Sequence, residues 1–183
     1  MQKLNNIYET DEMELRVALY MQNFFDIFYL NQGLQHIIDK AREVFGHPML
    51  VHDISYKVLA SSYDINDIIA FTEDENGNKY INEETINYIH SNYDLMKEIR
   101  KAGSYNLIKE SDPLNGVLLS LIKTDGIEVA KLVIYEAGTQ FSPIVIKLAD
   151  RFSQLLSIEL QKNNLFGRDK NLILNYMIED LLE

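Results

Sequence analysis

The sequence predicts an α+β fold, an antiparallel sheet covered by helices from the two ends of the chain. Three observations predict it. Apolar residues recur at helical spacing over 11–45 and again over 143–166. The short apolar runs between them are joined by tight turns, of which Asp125-Gly126 is the clearest, so neighbouring strands must pair antiparallel. The 183 residues, with 46% hydrophobic and 25% charged, suit one globular domain with a helical segment appended.

The first helix is expected over 11–30. Thr10 is placed to cap it, and Asp11, Glu12 and Glu14 occupy its first turn, where the helix dipole favours acids. Leu15, Leu19 and Gln22 fall on one side, and Met13, Val17, Tyr20, Phe24 and Ile27 on an adjoining one. A second helix over about 32–45 carries Leu34, Ile37, Ile38, Ala41, Val44 and Phe45 and closes at Gly46. The pattern then switches to two apolar runs, 48–54 and 56–62, with room between them only for a hairpin turn.

Residues 64–80 are polar and read as a loop with a turn at Asn76-Gly77. Asn82 caps an expected helix over 83–90, and a second short helix follows over 93–102. Strands return at 104–110, 117–123 and 127–137. Ser142-Pro143 then opens a long helix to about Phe166, since Ser suits the cap and Pro the first helical position. A last apolar segment follows, and the pattern is cut at Leu181-Leu182-Glu183 without a stop signal, as expected of a piece of a longer protein. The expected organisation is a domain over 1–166 and the start of a further helical region over 167–183. With strand pairs in the middle and helices at both ends, the architecture is of the PAS/GAF kind.

Composition excludes several classes. A net charge of −11 repels phosphate backbones, so this segment is not expected to bind nucleic acid by itself. The absence of cysteine removes disulfides, thiol catalysis and thiolate metal sites. No run approaches the ~20 apolar residues of a membrane span, and no signal peptide opens the chain, so a cytoplasmic location is expected.

Motifs for catalysis are equally sparse. There is no phosphate-binding glycine loop and no nucleophile elbow. His47 and His52 are five apart and so face opposite sides of a strand, while His36 and His90 stand alone. Around Asp74 the glycine falls at the wrong offset for a calcium loop. No metal, no cofactor and no enzymatic activity are expected.

Eleven tyrosines are the unusual count. Several surround the 64–102 excursion, which should cover the sheet face where a pocket would lie. Tyr63, Tyr93 and Tyr105 could orient a small ligand by ring and hydroxyl, and Arg100, if turned inward, could hold an anionic one. Taken singly, each Tyr is more simply read as filling a core edge with its hydroxyl in water, and Arg100 as a solvated helix end.

GHPMLVHDISYKVLASS at 46–62 resembles the opening hairpin of the sensor domain in PucR/CdaR-type transcriptional regulators. The stretch 115–163 resembles the closing strands and long helix of that domain, and NLILNYMIEDLLE resembles the helix that begins the next region. The resemblance implies a GAF-like sensory fold, a dimer, an unnamed small-molecule effector and a C-terminal helix-turn-helix that this chain does not contain. The homodimer is expected through helices 11–30 and 141–166. An interaction module that dimerises without any ligand is the alternative.

Overall fold

The helix that opens the chain is longer than its amphipathic stretch. The computed structural model describes residues 2–91, 104–107 and 116–162. In it, α1 spans Gln2–Tyr29. Thr10 therefore lies inside the helix and does not cap it. No glycine or proline interrupts residues 2–29, so nothing stops helix propagation at Thr10. Next, α2 (Leu34–Phe45) ends as expected. Gly46 takes a left-handed conformation (φ 73°), and its N–H donates to the Arg42 carbonyl at 3.0 Å.

Strands β1 (Met49–Asp53) and β2 (Val58–Ser61) form the expected hairpin. Strands β3 (Phe71–Glu73) and β4 (Lys79–Ile81) follow, then α3 (Glu83–Ser91), β5 (Ser104–Leu107), β6 (Val117–Thr124), β7 (Ile127–Tyr135) and α4 (Pro143–Lys162). The polar segment 64–80 is thus more than a loop. It holds a 3-10 turn at Ile65–Asp67 and a separate two-stranded sheet, β3 with β4. The turn at its tip is built by Asp74. Its carboxylate accepts from the Asn76 and Asn78 N–H groups at 2.9 and 2.8 Å, and Gly77 supplies the positive φ. That carboxylate serves the turn.

The caps at Asn82 and Ser142 form as expected. Asn82 Oδ1 accepts from the Thr85 N–H at 3.0 Å, and Ser142 Oγ from the Val145 N–H at 3.3 Å. The β6–β7 hairpin turns on Asp125 and Gly126, both at positive φ. Strand β7 stops at Tyr135, two residues short of expectation. The expected 93–102 helix, residues 108–110 of the expected strand, 163–166 of the long helix and the whole 167–183 region lie outside the described residues.

The main sheet has the order β2-β1-β7-β6-β5, and every described pairing in it is antiparallel. One face carries Met49, Val51, Leu118, Ile122, Leu132 and Ile134 against α1, α2 and α4. The other carries Leu50, Leu119, Leu121 and Val133 against Ile65, Ile69 and Ile81 of the excursion. The excursion thus covers the face opposite the long helices.

The helical layer is pinned by three rings, one per helix. Phe24 of α1, Phe45 of α2 and Phe152 of α4 lie with centroids 4.6–5.8 Å apart. All three are buried. A second clamp ties α2 to the excursion: Arg42 Nε meets Asp64 Oδ2 at 2.8 Å, while the Ser62 hydroxyl donates to the same carboxylate. Phe152→Ala should cost about 3–5 kcal/mol, the usual range for deleting a buried aromatic ring. Urea unfolding of the variant beside the parent checks this, and Tyr63→Ala, at a residue 76% exposed, should stay within about 0.5 kcal/mol.

Candidate functional site

The excursion-covered sheet face holds a group of polar side chains within its apolar surroundings. Alternation along β1 puts His52 on the same side as Leu50. In the β1–β7 register His52 stands opposite Lys131. Lys131 is 7% exposed and His52 1%. Such burial of a lysine requires a partner, and Glu128 supplies it at 2.7 Å.

That ion pair depends on a backbone irregularity. Residues three apart on a regular strand face opposite sides. Here the β6–β7 register shifts between Ile122 and Lys123: Ile122 pairs with Ala130 but Lys123 with Glu128. Val129 is the extra residue of a β-bulge, and it returns Glu128 to the side of Lys131.

Tyr56 completes the group. It sits in the β1–β2 turn with φ 64°, a left-handed conformation that is uncommon for a bulky residue. Asp53 enforces the turn, its Oδ1 accepting from the Ser55 and Lys57 N–H groups at 2.9 Å each. The Tyr56 ring stacks on His52 (centroids 5.4 Å apart, 21° between planes) and lies 5.9 Å from the Lys131 ammonium. Such aromatic and cation–π contacts favour a ring held between a base and a cation.

The electrostatics of His52 follow from this position. Burial, reinforced by the Lys131 charge, pushes its pKa down to about 3. The ring is therefore neutral near pH 7. Its Nδ1 lies 2.7 Å from the Asp53 carbonyl, which can only accept, so Nδ1 carries the proton. Nε2 is then a bare acceptor, fully buried and without a hydrogen-bond partner. A buried acceptor left unmatched costs stability, so this atom suits a group that brings it an N–H or O–H donor.

His47 lies on the other side of the sheet, as the five-residue spacing requires. Its ring packs edge-on against Phe141, at 4.9 Å, next to the helical core. Burial pushes its pKa below the ordinary histidine value, against the opposing pull of Glu136. Among the described residues no cluster of three or more His, Cys, Asp or Glu side chains could hold a metal. No described helix is long and apolar enough to cross a membrane.

The residues singled out by sequence are placed differently. Tyr63 follows β2 and is exposed. Tyr105 stands on β5 opposite Leu119 of β6. Tyr93 and Arg100 lie outside the described residues. Sequence reasoning passed over Tyr56, Glu128 and Lys131. The signal for Lys131 was present, a lysine in the middle of the apolar strand run VAKLVIY. A groove of about 390 Å³ lies elsewhere, between α1 and α4, lined by Val17, Ala18, Phe25, Leu155 and Ile158 among others.

Neither a protein-family model nor a curated protein matches the sequence. Among solved structures, the chain is similar to the cofactor-binding GAF domain of the nutrient sensor CodY from Clostridium difficile. The TM-score is 0.50 at 15% identity, over 70% of this chain and 84% of that one. The likeness shows the fold, a GAF-like antiparallel sheet with helices.

His52 makes acid stability a readout of this site. Its pKa is about 6.5 in the unfolded chain and about 3 in the fold, so the unfolded chain takes up the proton first. Its contribution is fully present above pH 6.5 and is lost as pH falls toward 3. At pH 5 the loss is about 2 kcal/mol, at ~1.4 kcal/mol per pH unit below the unfolded value. His52→Phe should remove this part of the decline when unfolding free energies at pH 7 and pH 5 are compared with the parent's.

Proposed function

We propose that this chain is a ligand-sensing regulatory domain that binds a small-molecule effector over the excursion-covered sheet face. The observation that carries the reading is the unmatched Nε2 of His52, buried beside Tyr56 and the Lys131–Glu128 pair on an otherwise apolar surface. Small-molecule sites combine an apolar lining with a few placed polar groups, and this face offers both. The effector would be a small, largely apolar molecule with a donor for His52. Tyr105 stands on the same sheet and would add a contact, and Tyr93 and Arg100 are the further candidates by residue type. The domain would act by binding and not by catalysis.

Two likenesses support this reading. The solved domain that resembles this one binds a cofactor within a nutrient sensor. The resemblance of 46–62 and 115–163 to the sensor domain of PucR/CdaR-type regulators supports a place in a transcriptional regulator. In that setting a DNA-binding helix-turn-helix lies beyond this chain, and α4 carries the output. An effector shifts such a domain only by binding its two states unequally.

A metabolite panel read by thermal unfolding tests the proposal on the full chain. A true effector at about 100 times its Kd adds ~2.7 kcal/mol. For a domain of 183 residues that is a rise of roughly 5–11 °C, at about 2–4 °C per kcal/mol. His52→Phe and Lys131→Met should each abolish the rise without unfolding the protein. A panel with no active compound, or a rise that survives both substitutions, would move the assignment to the ligand-free interaction module.

A further inference from the structure

α1 and α4 run parallel and leave an open groove between them. Lys147 pairs with Glu14 at one end, and the Lys162 ammonium lies 3.3 Å from the centroid of the Phe28 ring at the other. Between these ties the groove, of about 390 Å³, is lined by Val17, Ala18, Met21 and Phe25 of α1 and by Leu155 and Ile158 of α4. Two of its large apolar side chains, Phe25 and Ile158, are 43 and 47% exposed. We propose that this groove seats the chain's own C-terminal segment, 171–183, as a helix antiparallel to α1 and α4.

The sequence supplies a segment of matching pattern and reach. Residues 163–183 follow α4 and lie outside the described residues. On a helical projection Ile173, Leu174, Met177, Ile178, Leu181 and Leu182 fall on one apolar face, about 180° wide. A helix of about 12 residues is marginal in water and needs a surface to pack on. The groove runs ~16 Å along α1 from Glu14 to Phe25, and the segment as a helix spans ~18 Å. The residues 163–170, with Gly167 among them, make the connection. Extended they reach ~26 Å, ample for the about 8–10 Å between packed helix axes. A segment tethered so closely has an effective concentration in roughly the millimolar range, which favours it over a free partner of similar affinity.

Charge fits the antiparallel sense that the short connection imposes. Arg151 borders the end of the groove away from Lys162 and forms no ion pair among the described residues. With Asn171 beside Lys162, the helix rise carries Asp180 ~14 Å back along α4, within a turn of Arg151. Asp180 borders the apolar face, and Glu179 and Glu183 share its end of the segment. The cation thus meets three carboxylates and the negative end of the segment's helix dipole. Any region that follows Glu183 then leaves beside the middle of α4 and not from its tip. The inference is independent of the sensing role, whose candidate site lies across the sheet.

Hydrogen exchange on the full chain, read by mass spectrometry, tests it. Amides of 173–182 should exchange at least about tenfold more slowly than in the isolated 171–183 peptide, and equally so at protein concentrations about tenfold apart. Ala18→Arg, at an exposed position in the groove, should remove that protection while β7 stays protected. Arg151→Glu should remove part of it, and Arg151→Glu with Asp180→Arg should restore it, the signature of a coupled pair. Four results would each overturn the proposal: exchange of 173–182 at the peptide's rate in the parent, protection indifferent to Ala18→Arg, charge reversals that fail to compensate, or protection that rises with protein concentration, which would put a second copy in the groove.

Discussion

The two-sided burial of β7 is the constraint from which the rest of the architecture follows. It pairs with β1 along one edge and β6 along the other. Its residues Val129–Ile134 are all buried, so both faces must be covered. Leu132 and Ile134 are covered by the helices, and Val133 by the excursion. A strand in that position cannot be left open on either side, since uncovered apolar area would have to face water. The helical layer and the excursion are therefore complementary requirements of one strand, and the three-phenylalanine contact among α1, α2 and α4 closes the first of them.

The same strand creates the polar group. Without the extra residue at Val129, Glu128 and Lys131 would lie on opposite sides of the sheet, and the lysine would be buried without a counter-ion. A charge in that state costs several kcal/mol. The bulge, the left-handed Tyr56 and the depressed His52 meet in one small region. Backbone departures and buried polar groups that coincide in this way are more typical of functional regions than of a surface optimised only for packing.

Much of this was legible in the sequence, because it rests on local rules. The Asp125-Gly126 turn, the Gly46 stop and the caps at Asn82 and Ser142 each need only a few neighbouring residues, and each is found where the pattern put it. The start of α1 was misplaced because the acidic first-turn signal at Asp11–Glu14 competes with an uninterrupted helix-forming run ahead of it. Strands β3 and β4 were read as loop because three-residue strands are too short to show alternation, and their polar content mimics a turn. The His52 group was invisible for a different reason. Its members come from β1, the hairpin turn and β7, and a bulge unreadable from alternation alone determines which of them meet. Tyr63 drew notice by residue type, but its place after β2 leaves it in solvent.

The sheet is one residue thick, and this has a mechanical consequence. His52 and Leu50 project toward the excursion, while Met49 and Val51, their immediate neighbours in the chain, project into the helical core. Whatever displaces the first pair must move the second through a single peptide unit, with no intervening layer to absorb the motion. β1 is thus a lever whose two arms lie in different compartments of the molecule, and the tightly packed helices are its load.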